Sequence, residues 1–191
     1  MIDFANLPIY SKEEKYLQEF FMFSICVANK SAATIAPRID KLVKSLDGMP
    51  FDILGKKKAS TIQSMLKNLG IGCYKLKGQG IKEAACAVSN GDLSLQNSTL
   101  EELEKINGVG LKTSRFFVVH SRPNAHHAVI DTHLLKFLKS KGHDVPEQTP
   151  TSKKQYKILE EILMKYVIES GKTAAQFDID IWKSYALKEV A

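Results

Sequence analysis

The chain has 191 residues, 44% of them hydrophobic, which is enough core-forming material for one compact domain or two small lobes and excludes a disordered chain. Lysine and arginine outnumber aspartate and glutamate by 27 to 21, a net charge of +6, so the expected partner is anionic, a nucleic acid or an acidic membrane surface. Cys26, Cys73 and Cys86 are odd in number and set among apolar residues, against a disulfide framework or thiolate metal centre, and no stretch approaches the roughly 20 apolar residues that span a bilayer; the expectation is a soluble, intracellular protein with reduced core cysteines.

Ser11 can cap a first helix in which Tyr16, Leu17, Phe20, Phe21, Phe23 and Ile25 crowd one side and then the whole circumference, as in a helix entering a core. The pattern restarts at Ser31 or Ala32, runs through Ile35, Ile39, Leu42, Val43 and Leu46, and stops at Asp47-Gly48-Met49-Pro50. Two shorter helices are expected over 58–69 and 80–88, separated by the glycine-broken GIGCYKLKGQG. Another covers 99–105, with glutamates in its first turn where the helix dipole favours negative charge. Further helices follow over 111–120, 132–141, 153–169 and 173–187. Alternating runs rich in Val, Ile and Thr are nearly absent, so the fold class is all-α.

Between the 99–105 helix and the one beginning near Leu111 lies KINGVGLKT, with two glycines and two lysines in nine residues. Glycine permits positive φ and close backbone approach, so the amides of Asn107, Gly108, Val109 and Gly110 and of the next helix's first turn can point at a phosphate. Taken alone, such a turn reads more readily as an ordinary helical connection. Downstream, AVIDTHLLKFL places Asp131 immediately before a helix, nineteen positions after Lys112. Asp131 taken alone is an N-cap, a role compatible with a chemical one.

Together, LEKINGVGLKTS and AVIDTHLL resemble the core of the helix-hairpin-helix, Gly-Pro-Asp DNA glycosylases of the endonuclease III superfamily, and the likeness extends from about Phe20 to Trp182. The resemblance implies a single glycosylase unit over 1–191, two-lobed, with a helical barrel lobe over 32–130 that includes the 106–112 hairpin, a second lobe from 1–31 and 131–191, and an active-site cleft between them. It implies that Lys112 is the nucleophile and Asp131 its partner carboxylate. An unprotonated Lys112 amine would attack C1′ of a flipped nucleotide, displace the base and leave a Schiff base open to β-elimination, which is glycosylase and AP lyase chemistry. Asp131 would stabilise the oxocarbenium-like sugar and assist proton transfer.

The family fills the stack vacated by the base with a residue after its early barrel helix. Asn29 matches that position with a shorter reach than the glutamine of many relatives, and Lys30 could share the task; a helix C-cap is the competing reading of Asn29. VANKSA resembles the archaeal-type group of 8-oxoguanine DNA glycosylases. That group typically ends on a base-contacting lysine, whereas this chain ends Lys188-Glu189-Val190-Ala191. Asp178 and Trp182, four apart on one helix face, fall near the superfamily's base pocket, with core packing and helix-start stabilisation as the alternatives. His126 and His127 read as solvated, His133 as locally packed, and Lys56-Lys57-Lys58, Lys75 with Lys77 and Lys153-Lys154 as solvated basic faces.

No cysteine follows Cys86, so the superfamily's C-terminal iron–sulfur cluster is not expected. No organic cofactor is implied, and the likeness allows a monovalent cation on the hairpin carbonyls. The partner implied is double-stranded DNA with a damaged base, probed by a monomer without a membrane, and the lesion implied is an oxidised one such as 8-oxoguanine. Two other readings stay open on the sequence: a DNA-binding module without chemistry, and an enzyme of this fold that acts on modified bases for DNA modification.

Overall fold

The computed structural model describes residues 2–8, 10–11 and 13–186, and all regular structure among them is helical. After a 3-10 turn, Phe4–Asn6, come α1 (Glu14–Val27), α2 (Ala32–Lys44), α3 (Pro50–Lys56), α4 (Ala59–Asn68), α5 (Tyr74–Ser89), α6 (Leu100–Leu103), α7 (Leu111–Ser121), α8 (Thr132–Ser140), α9 (Lys153–Ser170) and α10 (Ala174–Ala186). The last residue of the expected final helix, Leu187, and the C-terminal Lys188–Ala191 lie outside the described residues. No helix among the described residues is long and apolar enough to cross a membrane. The chain forms two compact units, one of Met1–Asn6 with Ser11–Phe117, the other of Leu7–Tyr10 with Val118–Ala191. These units divide the chain differently from the expected lobes: α1 belongs with α2–α6, and the division falls inside α7.

In the first unit, α1 is the central helix. Phe20, Phe21, Phe23 and Cys26 are fully buried, as the all-round apolar pattern requires. Its phenylalanines meet those of α7, with ring centroids 4.8 Å apart for Phe21–Phe117 and 5.7 Å for Phe20–Phe116. Such aromatic contacts add about 0.5–1.5 kcal/mol each beyond area burial and fix the first two turns of α7 against the core.

Ser11 is not the cap of α1, whose N-cap is Glu13; its hydroxyl accepts from the Glu13 amide at 3.1 Å instead. Two further elements depart from the sequence expectation, each for a long-range reason. The stop signal at Pro50 is also a start: proline occupies the first turn of α3, and the Phe51 amide, which has no partner within that helix, donates to the buried side-chain oxygen of Gln18 on α1 at 2.9 Å. The α5 helix begins at Tyr74, six residues before the expected 80, and runs through Gly78 and Gly80. These glycines are sites of close approach. A β-carbon at Gly78 would lie 2.7 Å from Gln63 Cγ on α4, and one at Gly80 only 2.0 Å from the carbonyl oxygen of Asn107. Close packing here outweighs the roughly 1 kcal/mol that each glycine costs a helix.

In the second unit, Leu134, Leu135 and Leu138 of α8 are buried, as are Leu159, Leu163 and Val167 of α9. Phe137 of α8 meets Tyr166 and Phe177 edge to face at 5.3 and 5.5 Å. The α8 helix thereby packs on both α9 and α10.

Candidate active site and nucleic-acid interface

The hairpin is built from below. Leu103, Ile106 and Val109 bury their side chains, while Asn107, Gly108 and Gly110 stay exposed. Thr99 and Glu102 form a reciprocal capping box at the start of α6. The Ile106 amide donates to Leu103 O at 3.1 Å and the Val109 amide to Ile106 O at 3.0 Å, closing the turn, and Gly108 takes a φ of +81° that a side chain would resist. The ladder of α7 then begins with Ser114 N donating to Gly110 O at 3.0 Å. The start of this eleven-residue helix, with the Gly108 and Gly110 amides before it, is an arrangement that attracts an anion, whereas the Asn107 and Val109 amides, expected to point at a phosphate, are taken by Glu83 and by Ile106 O.

Helix α5 holds this turn in place. The Asn107 amide donates to Glu83 Oε2 at 2.9 Å and its side-chain nitrogen to Glu83 Oε1 at 2.6 Å, while its carbonyl rests against Gly80. Partial burial alone would raise the Glu83 carboxyl. The donors from Asn107 and Gln79 together outweigh it and hold the group below its ordinary carboxylate value. On the other side of the turn, Glu104 accepts from Ser114 Oγ at 3.0 Å and pairs with Arg115 at 3.1 Å, tying α6 to α7. Lys112 stands half-buried in the first turn of α7, between hairpin and aromatic cluster.

The turn after α1 belongs to the same unit. Asn29 adopts the left-handed conformation, φ +57°, beyond the C-cap Ala28, and Lys30 N donates to Val27 O at 2.9 Å. Asn29 thus has the C-terminal helix role, and both it and Lys30 are exposed and available to a ligand. Lys77, read from sequence as part of a solvated basic face with Lys75, is instead 4% exposed. Its ammonium donates to Cys26 O at 2.6 Å and Ala28 O at 3.4 Å, satisfying carbonyls that the end of α1 leaves open. Burial lowers its affinity for a proton, the Cys26 and Cys73 thiols oppose that, and Lys30 adds to it. Burial also pushes the Cys26 thiol up to about 12, with Lys77 opposing. Cys73, expected in the core, is exposed at the N-cap of α5.

In the second unit, Asp131 is the N-cap of α8, its Oδ1 accepting from His133 N at 2.8 Å and Leu134 N at 2.9 Å. The segment before it is non-helical and buried, so its backbone needs partners from elsewhere. Helix α9 supplies most of them. Tyr156, fully buried, accepts from Ile130 N at 2.8 Å and donates to Ala128 O at 3.3 Å; Glu160 accepts from Ala128 N at 3.1 Å. Thr149 Oγ1 donates to Ile130 O at 2.9 Å. His127, expected in solvent, is half-buried with Nδ1 3.4 Å from Glu160, while His126 is exposed as expected. His133 lies beside Tyr185, ring centroids 6.3 Å apart and tilted by 35°, the local packing expected of it. Asp178 is buried and joined through Oδ2 to His120 Nε2 at 2.8 Å, linking α10 to the end of α7, while Trp182 is half-buried.

Sequence reading missed Lys77, Glu83, Tyr156, Glu160 and His120 as parts of the support. A signal existed for two of them. With α5 started at Tyr74, Lys77 falls on one stripe with Ile81, Ala84 and Ala85, and Glu160 interrupts the apolar stripe of Tyr156, Leu159, Leu163 and Val167; charge on an apolar stripe implies a buried partner.

An all-helical chain with a glycine hairpin, a lysine in the helix that follows it and an aspartate capping a later helix has the fold and elements of the helix-hairpin-helix DNA glycosylases. The chain belongs to the 8-oxoguanine DNA glycosylase family, which it matches over residues 1–172. It is a DNA-repair glycosylase of the oxidised-base class. Solved structures share the fold at low identity. The 8-oxoguanine glycosylase/lyase of Methanocaldococcus jannaschii, in complex with a 15mer DNA containing 8-oxoguanine, is 20% identical with a TM-score of 0.70, over 92% of this chain and 83% of that one. The 8-oxoguanine DNA glycosylase of Thermotoga maritima is 20% identical with a TM-score of 0.72, over 90% of this chain and 80% of that one.

Proposed function

We propose that the protein is a bifunctional DNA glycosylase/AP lyase that excises 8-oxoguanine from duplex DNA through a Schiff base on Lys112. The observation that supports it most directly is the placement of Lys112 in the first turn of α7, directly after a hairpin whose exposed Gly108 and Gly110 suit a backbone phosphate. In this reading the Gly108 and Gly110 amides anchor one strand, while Asn107 and Val109 hold the turn in shape through Glu83 and Ile106 O. Asn29, with Lys30, fills the vacated stack, and Asp178 and Trp182 line the base pocket. The Lys112 amine attacks C1′ as the C1′–N9 bond breaks, the base leaving with the bonding pair and a proton. Loss of the amine proton and ring opening give the Schiff base; removal of a C2′ proton then expels the 3′ phosphate by β-elimination. The Asp131 carboxylate, held against two amides of α8, stabilises the positive charge on the sugar as the base departs. Carbonyls of the 106–110 turn are the neutral oxygen donors that a monovalent cation takes, and such an ion would stiffen the turn without entering the chemistry. The protein acts as a monomer, inside the cell, where its DNA is.

Borohydride trapping tests the reading on duplex oligonucleotides carrying 8-oxoguanine, an oxidised pyrimidine, an abasic site or no lesion. The expected result is a covalent complex on the 8-oxoguanine and abasic duplexes that Lys112→Gln abolishes while DNA binding persists. A nick of equal yield from Lys112→Gln would remove Lys112 from the mechanism. Binding without product on any lesion would favour a module without chemistry.

A further inference from the structure

Lys77 is a charged group buried in the first unit, only two residues along α5 from the exposed Lys75, so its position needs a reason. Its ammonium reaches two carbonyls at the end of α1, Cys26 O at 2.6 Å and Ala28 O at 3.4 Å, the second belonging to the residue immediately before Asn29. The other side of the same turn is also seated. Gly72, in the α4–α5 connection, leaves room for the stem of Lys30, whose Cε would lie 3.1 Å from a β-carbon at that position. Three residues beyond Lys77, Gly80 receives the Asn107 carbonyl, and Glu83 takes the Asn107 amide and side chain. One helix therefore holds both of these exposed turns, with the contacts at 77, 80 and 83 spaced about one helical turn apart.

We propose that Lys77 is a positioning residue for base extrusion: it fixes the Asn29–Lys30 turn, and α5 sets the spacing between that turn and the phosphate-binding hairpin. This deepens the proposed function, because it rests on Asn29 and Lys30 entering the vacated stack. Lys77 touches neither DNA nor the reacting sugar. It acts by keeping the end of α1 in one conformation, so that the turn meets the duplex already formed.

Lys77→Met keeps the length of the stem and removes the donors. In the full-length protein, single-turnover excision from an 8-oxoguanine duplex is expected to fall roughly tenfold, the scale of loss for a displaced positioning group. Fluorescence of 2-aminopurine placed beside the lesion should report slower extrusion. Borohydride trapping on a duplex with a preformed abasic site, where no base remains to be extruded, should stay within about twofold of the native protein. Adding Lys77→Met to the pair Asn29→Gly and Lys30→Ala should cost less than a further twofold, because the turn's side chains are already gone.

Equal losses on both duplexes, no loss on either, or full additivity in the combined variant would overturn the assignment. Should Lys77→Met not fold, Lys77→Gln, which retains one donor group, takes its place in the same comparison and is judged by the same outcomes. A native protein that leaves the 8-oxoguanine duplex intact would show that the proposed function had failed before any variant was made.

Discussion

Gly80 provides the sharpest structural test of how the hairpin is held. A β-carbon there would lie 2.0 Å from the Asn107 carbonyl oxygen, well inside the 3.4 Å at which ordinary contact begins, and the obstructing atom is backbone. Gly80→Ala should gain about 1 kcal/mol of helix propensity in α5. Against this stands overpacking, which costs about 1–3 kcal/mol and more where no flexible side chain can yield. Opening the gap would also pull Asn107 from Glu83 and lose a charge-assisted bond to an amide, so the balance is a net loss of roughly 2 kcal/mol. At about 2–4 °C per kcal/mol for a chain of this size, the thermal transition should fall by roughly 4–8 °C. Duplex affinity should weaken as well, with a shallower dependence on salt, since the turn that faces the phosphate has moved. Gly55→Ala on α3 is the control: its β-carbon meets Ala85 O at 3.4 Å, so the propensity gain should dominate and the transition should hold or rise. A Gly80→Ala protein as stable as Gly55→Ala, with native DNA affinity, would refute the close-approach argument.

Asp131→Asn separates capping from chemistry, because asparagine caps a helix as well as aspartate does while Asp131→Ala loses about 1 kcal/mol. Excision by Asp131→Asn should slow at least tenfold with an unchanged thermal transition; a transition lowered as far as that of Asp131→Ala would leave Asp131 a capping role alone. The Glu83 carboxyl is held below its ordinary value of 4.5, so its contribution is complete above that pH and is lost as pH falls through the lower folded value. Amide exchange at Asn107, corrected for the intrinsic rate, should speed up in that acid range, and Glu83→Gln should remove the step; an unchanged profile in Glu83→Gln would place the titrating group elsewhere.

The hairpin and Asp131 were legible because their chemistry is local: Gly108 needs positive φ, and Asp131 accepts amides two and three residues ahead. The α1 helix was legible because burial on all sides leaves an unbroken apolar pattern. The α3 helix was not, since the group that satisfies its first turn is Gln18, 33 residues away. The start of α5 was hidden for a related reason. Glycine in a helix reads as a breaker unless the neighbour it admits is known, and for Gly80 that neighbour is Asn107. His120 and Asp178 pair across 58 positions, a distance at which no spacing rule operates.

A common physical logic runs through these supports. Exposed turns carry few backbone hydrogen bonds of their own, so side chains of a neighbouring helix must fix them. In the first unit α5 does this with Lys77, Gly80 and Glu83, and in the second α9 does it with Tyr156 and Glu160 for the segment before Asp131. The hairpin sequence alone should therefore be a poor clamp when moved to another pair of helices, because it leaves behind the glycine that admits Asn107 and the carboxylate that holds it. The same separation suits a fold shared at about 20% identity, since supporting contacts can be rebuilt from different residues provided the turn they hold keeps its geometry.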